Sequence, residues 1–176
     1  MDKWARAVGR GSAQGPFRRG QMTLNQTVQS THLGDIDWSP GCEIFLPAGL
    51  PGFEDERRMI PVEVPQQRPL VFLQSLETPS TCFVSLPVRT IFPAYQLSLS
   101  EDDRAALRCD GDRELSIGAD VLCLVLLVPF EDTVQANLDA PVVINLHNRR
   151  CIQSLPTEPK AGRFRLVDGG RWEPIC

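Results

Sequence analysis

The chain has 176 residues, enough for one domain with a substantial core and a tail, and 42% of them are apolar. Fifteen prolines and thirteen glycines argue against long helices and for short strands joined by tight turns, and no apolar run approaches the ~20 residues needed to span a bilayer. Charge is uneven: residues 1–34 carry five bases and one acid, residues 35–139 seven bases and eighteen acids (a net of −11), and residues 140–176 six bases and three acids, so the central body should repel phosphate backbones and attract basic proteins.

In chain order, residues 1–34 have no secretory h-region, and the Arg18–Arg19 pair is followed by GQMTLNQT, too polar for a twin-arginine signal. They read as a disordered basic extension, with TLNQTVQSTHL able to pair as an edge strand. The folded body is placed at residues 35–156 and a C-terminal tail at 157–176. Strands are expected at Cys42–Leu46, Met59–Val64, Leu70–Ser75, Cys82–Leu86 and Val121–Val128, the last an uninterrupted apolar run that suits a strand buried on both faces. Between the first two lies LPAGLPGFEDERR, a Pro/Gly turn carrying one phenylalanine and a knot of charge, with EDERR able to form one helical turn. SLSEDDRAALR is the clearest helix: Ser100 can cap it, and Glu101, Asp102 and Asp103 sit where the helix dipole favours acids. Val142–Leu146 and Arg150–Leu155 read as a hairpin around HNRR. The fold class is therefore mostly β, a compact antiparallel barrel-like or sandwich domain with one short helix near 100–108.

The residues do not assemble a reaction centre. The histidines, His32 and His147, fall in the extension and in a hairpin turn, and neither HxH, HExxH, CxxC nor GxSxG occurs. The six cysteines form no close pair, and Cys82 and Cys123 sit inside apolar runs, so a reduced, cytoplasmic protein is expected. Carboxylates cluster at 54–56, at 101–103 and at 110–114, but adjacent acids in a turn or helix start point apart, the helix dipole accounts for the second cluster, and DGDRE lacks the remaining ligands of a calcium loop. No catalytic residue, metal ligand or cofactor is assigned.

Four stretches, in order, resemble the flagellar assembly factor family FliW: LPAGLPGFEDERR, PLVFLQSLETPSTCFVSL, FPAYQLSLSEDDRAAL and VQANLDAPVVINLHNRRCIQ. The resemblance runs from about Ile36 to Leu155. It departs from the family pattern at Val84–Pro87, where an aspartate is usual, at Ala136, where threonine is usual, and at Cys151, where glycine is usual. It implies a non-enzymatic cytoplasmic protein that binds flagellin as a chaperone. It also implies binding to CsrA, a small RNA-binding translational repressor, which relieves the block on flagellin translation without contacting nucleic acid or membrane.

For such a protein the partner-binding candidates are Phe53, Glu54, Asp55, Glu56, Gln74, Phe92, Tyr95 and Asn137. The carboxylates would meet a basic repressor, and the aromatics would anchor an amphipathic flagellin segment. Each has a plainer reading: core packing for the aromatics, turn fixation for Asn137 and an outward or edge-bonding role for Gln74. The competing functions are a small acidic β-barrel hydrolase or lyase, and a general adaptor domain whose acidity only keeps it soluble.

Overall fold

The computed structural model describes residues 25–109, 113–155 and 161–175. Two strands, β1 (Gln26–Ser30) and β2 (Gly34–Trp38), form an antiparallel hairpin of their own. The other strands are β3 (Ile44–Phe45), β4 (Arg58–Val62), β5 (Val71–Ser75), β6 (Cys82–Pro87), β7 (Val121–Phe130), β8 (Thr133–Asn137), β9 (Val142–Asn145), β10 (Cys151–Gln153), β11 (Arg163–Val167) and β12 (Arg171–Ile175). They make one antiparallel sheet in the order β12-β11-β8-β7-β6-β5-β4-β3, with β9 on β7 and β10 on β9. Two short helices, α1 (Val88–Ile91) and α2 (Glu101–Leu107), lie in the β6–β7 connection. The sheet curls until β3 reaches the start of β10. There a single bridge joins Phe45 to Arg150, and the Phe45 N–H donates to the Arg149 carbonyl at 2.9 Å. The curl is barrel-like, with a seam of one bridge where a ladder would close it.

The uninterrupted apolar run of β7 explains the layering. Side chains alternate between faces of a strand, and here both faces are covered. Leu124, with Leu122 and Leu126, packs inside the curl against Ile44, Leu46, Leu73, Val142 and Ile144. Val121, Cys123 and Val125 point the other way, against Val88, Tyr95, Leu107, Ala136 and Leu138. The next strand along repeats the device, with Val142 and Ile144 on the first side and Val143 on the second. A third, smaller core forms where Ile36 and Trp38 of β2 cover Ile60, Val62 and Phe72.

The α2 helix follows local rules at its N-terminus, where the Ser100 hydroxyl accepts the Asp103 N–H at 3.0 Å. Its C-terminus is finished by another part of the chain. Asn145 and Asn148 donate side-chain N–H groups to the Leu107 carbonyl at 3.1 and 3.0 Å, and Arg150 Nε donates to the Ala106 carbonyl at 2.6 Å. These carbonyls would otherwise lack partners at a helix end. The HNRR turn is thus a clamp on α2, and Ser154 adds a bond from its hydroxyl to Asp103 Oδ2 at 2.7 Å.

Several elements differ from the sequence-based expectation. The strand allowed for TLNQTVQSTHL forms as β1, and with the turn to β2 it sets folded structure ahead of the Asp35 boundary, because alternating Ile36 and Trp38 give the hairpin a buried face. The hairpin β11–β12 lies in the segment read as a tail, with Phe164 and Trp172 packed on the second core. EDERR is not helical; Glu54 and Asp55 form a turn and Arg58 opens β4. Strand β3 keeps only two of the five expected residues. Most of the extension read as disordered, residues 1–24, lies outside the described residues.

Leu124 has no solvent exposure and Val128, four residues further along β7, is 55% exposed. Leu124→Ala should therefore lower the unfolding free energy by about 2–5 kcal/mol, and Val128→Ala should change it by no more than about 0.5 kcal/mol, both read from urea denaturation.

Candidate functional site

The Leu46–Arg58 turn is fixed by its own backbone. The Gly49 N–H donates to the Leu46 carbonyl at 3.2 Å, the Phe53 N–H to the Leu50 carbonyl at 2.7 Å, and the Glu56 N–H to the Phe53 carbonyl at 3.1 Å. Pro51 and Gly52 occupy the central positions of the Leu50–Phe53 reversal, with Gly52 at φ +82°, the pairing that a type II turn requires. Gly49 has φ +70°, and a Cβ there would stand 2.4 Å from the Phe53 carbonyl oxygen. Arg57 closes the loop by donating from its guanidinium to the Pro47 carbonyl. The result is a rigid platform that leaves Phe53 44% exposed, its ring set edge-on to Phe83 with centroids 4.8 Å apart.

The three acids of this turn have different fates. Glu54 is exposed and its Oε1 accepts the Gly52 N–H at 2.8 Å; bonds from backbone N–H groups hold its carboxyl below the usual carboxylate range. Asp55 is exposed. Glu56 is buried and accepts the Ser75 hydroxyl, so it ties the turn to the β5–β6 connection and presents nothing to a partner.

The remaining sequence candidates divide the same way. Phe92 is 39% exposed and stacks on Phe164 at 6.4 Å. Asn137 is half-buried, and its side-chain oxygen accepts the Asp139 N–H at 3.1 Å, which shapes the β8–β9 turn. Gln74 is fully buried: its Oε1 accepts the Ser30 hydroxyl at 2.6 Å and its amide donates to the Pro79 carbonyl at 3.3 Å, which locks the β1–β2 hairpin onto the sheet. Tyr95 is buried, donates to the Leu138 carbonyl at 3.2 Å, and has its phenol pushed up to about 12 by desolvation. As surface contacts, Glu56, Gln74 and Tyr95 are corrected to scaffold, because their polar groups are spent inside the protein. Phe53, Glu54 and Asp55 are the candidates that the structure gathers on one exposed feature.

One cluster of charged groups outside this turn is structural. Arg113 donates to Asp120 at 2.6 and 3.1 Å, the Ser116 N–H donates to it at 2.9 Å, and His147 Nε2 lies 3.5 Å away. The guanidinium, then the Ser116 N–H, hold the Asp120 carboxyl well below the usual carboxylate range. A shallow cleft of about 310 Å³ lies nearby, lined by Arg89, Gln96, Leu97, Glu114, Leu115, Ser116 and Ile117. None of the sequence candidates lines it. The exposure of Phe83 and of the end of β7, Val128 and Phe130, has no signal in the sequence, because an apolar run gives no sign of where its cover stops.

Comparison with known proteins gives four concordant findings. The family model described as FliW protein matches residues 27–163. The chain is 30% identical over 122 residues to the flagellar assembly factor FliW of Geobacillus thermodenitrificans (strain NG80-2), covering 69% of this chain and 81% of that protein. It is 36% identical over 124 residues to the FliW of Natranaerobius thermophilus, covering 69% and 79%. A solved structure, the crystal structure of the flagellar assembly factor FliW, superposes with a TM-score of 0.66 at 29% identity, over 76% of this chain and 90% of that one.

Two outcomes follow from the geometry. Gly49→Ala should destabilise the fold by more than the ~1 kcal/mol typical of a point mutation, and calorimetry should show the loss, because the new Cβ meets backbone and the left-handed φ disfavours a side chain. Asp120→Asn should lower the melting temperature at pH 7. Since the folded carboxyl titrates below its unfolded value of ~4, its contribution is complete above that pH and lost as pH falls toward the folded value. The gap between variant and parent should therefore narrow in acid.

Proposed function

The chain belongs to the FliW family, and from that membership we propose that it serves flagellar assembly as a non-enzymatic binding protein in the cytoplasm, with a CsrA-type translational repressor and flagellin as its two partners. In this reading, export of flagellin frees the protein, and the freed protein captures the repressor and lifts its block on flagellin synthesis. The observation that carries it, beside the family, is the Leu46–Arg58 turn. Proline, glycine and a set of backbone bonds fix the backbone that carries a half-exposed aromatic and two exposed carboxylates, and the Gly52 N–H holds that of Glu54. Presetting these groups lowers the ordering cost of binding.

Electrostatics support a basic partner. The segment from 35 to 139 carries eighteen acids against seven bases, which favours approach of an RNA-binding repressor and raises its association rate more than its final affinity. A docked acidic protein would also disfavour RNA phosphates within about a Debye length, ~8 Å at physiological salt. That supplies a route to antagonism without shared contacts.

The test uses the full-length protein with purified repressor and purified flagellin. Glu54→Gln with Asp55→Asn should slow repressor association several-fold at low salt and leave the fold intact. Phe53→Ala should remain folded, because the ring is only half-buried, and should weaken capture of a partner at least about tenfold, as loss of an interface anchor does. Association rates unchanged in both variants, or no binding by the parent protein to either partner, would overturn the proposal.

A further inference from the structure

The β6–β7 ladder stops at the pair Ser85–Leu126, although both strands continue: β6 reaches back to Cys82 and β7 forward to Phe130. Phe83 stands two residues along β6 from Ser85, and Val128 and Phe130 stand two and four along β7 from Leu126. By the two-residue alternation of strands all of them share the face that Leu73 and Leu126 turn into the first core. That core ends there. Phe83 is half-buried under the edge of Phe53, whereas Val128 is 55% and Phe130 51% exposed. Phe53, Phe83, Val128 and Phe130 therefore form one apolar row, continuous with the core beneath it and open to solvent. Its length is on the order of 15–20 Å, about three turns of helix.

The immediate rim of the row is acidic. Glu54 and Asp55 follow Phe53, and Glu131 and Asp132 form the turn after Phe130, all four exposed. Among the described residues Asp55, Glu131 and Asp132 make no ion pair. Arg57 lies near Glu54 but spends its guanidinium on the Pro47 carbonyl, and by strand register the arginine next to Val128 is Arg165, reached through Gln135 and so about 10 Å away at the usual strand spacing. An apolar centre with exposed carboxylates at both ends fits a segment with an apolar stripe flanked by lysine or arginine. It disfavours phosphate polymers, which the same carboxylates repel.

We propose that this row, extending from the Phe53 turn across Phe83 to Val128 and Phe130, is the docking surface for a basic amphipathic helical segment of a partner protein. The inference rests on the protein-binding reading above and adds to it the end of β7, the turn Glu131–Asp132 and the chemistry of the segment received.

The test is a titration of the full-length protein with a fluorescent peptide of about four helical turns, leucines on one face and lysines on the other, beside an otherwise identical peptide with glutamates for lysines and a labelled oligouridine. The lysine peptide should bind, weakening as salt rises. Val128→Asp and Phe130→Ser should each weaken it at least about tenfold with the thermal midpoint of the protein unchanged. The pair Glu131→Gln and Asp132→Asn, which removes charge without touching the apolar row, should weaken it several-fold. Binding of both peptides alike, preference for the glutamate peptide or the oligouridine, indifference to Val128→Asp, or self-association in sedimentation that Val128→Asp abolishes would overturn the proposal. Peptide binding at the row together with failure to bind repressor and flagellin would retain this inference and reject the proposed partners.

Discussion

A strand buried on both faces must alternate between two cores, and β7 is where this chain meets that demand. Leu122, Leu124 and Leu126 go to one side and Val121, Cys123 and Val125 to the other, so a register slip of one residue would send every side chain to the wrong core. The strands around β7 are arranged by this requirement. β6 and β9 cover its buried stretch, the α1–α2 connection lies over the second core, and β8 pairs only with its outer end. Where β6 stops pairing, the same apolar pattern runs on into solvent. The exposed row beside the Phe53 turn is thus a continuation of the central packing beyond its cover.

Polar groups buried around this framework hold its peripheral parts in place. Gln74 fastens the β1–β2 hairpin, Glu56 fastens the Pro/Gly turn through Ser75, and Asn145 fastens α2 through the Leu107 carbonyl. Among the described residues no buried side-chain nitrogen or oxygen lacks a hydrogen-bond partner, which is what makes such burial tolerable. Each of these bonds joins elements distant in the chain. Truncating one partner would leave the other desolvated and unbonded, a cost of about 1–3 kcal/mol, and would loosen a surface element more than the core.

This division of labour matters for function. A binding turn gains from rigidity only if something else bears the cost of holding it. Here Gly49, Pro51 and Gly52 set the backbone of the turn, and Glu56 and Arg57 tie it down, which leaves Phe53, Glu54 and Asp55 available to solvent.

Local rules were legible without coordinates. Ser100 and the acids after it announced α2, the Pro/Gly cluster announced a rigid turn, the run Val121–Val128 announced a central strand whose double cover ends before Val128, and four ordered motifs announced the family. Partnerships were not legible. Strands β8, β11 and β12 carry polar and charged residues at alternate positions, and their apolar members, Ala136, Phe164 and Trp172, count as core only because α1 and the second core lie opposite. Likewise Glu56, Gln74 and Tyr95 resemble surface contacts in sequence and become scaffold because Ser75, Ser30 and Leu138 stand within bonding distance. Sequence by itself determined the backbone preferences, since these arise within a few residues. The tertiary structure alone decided which side chains face water, because burial depends on what the rest of the chain brings alongside.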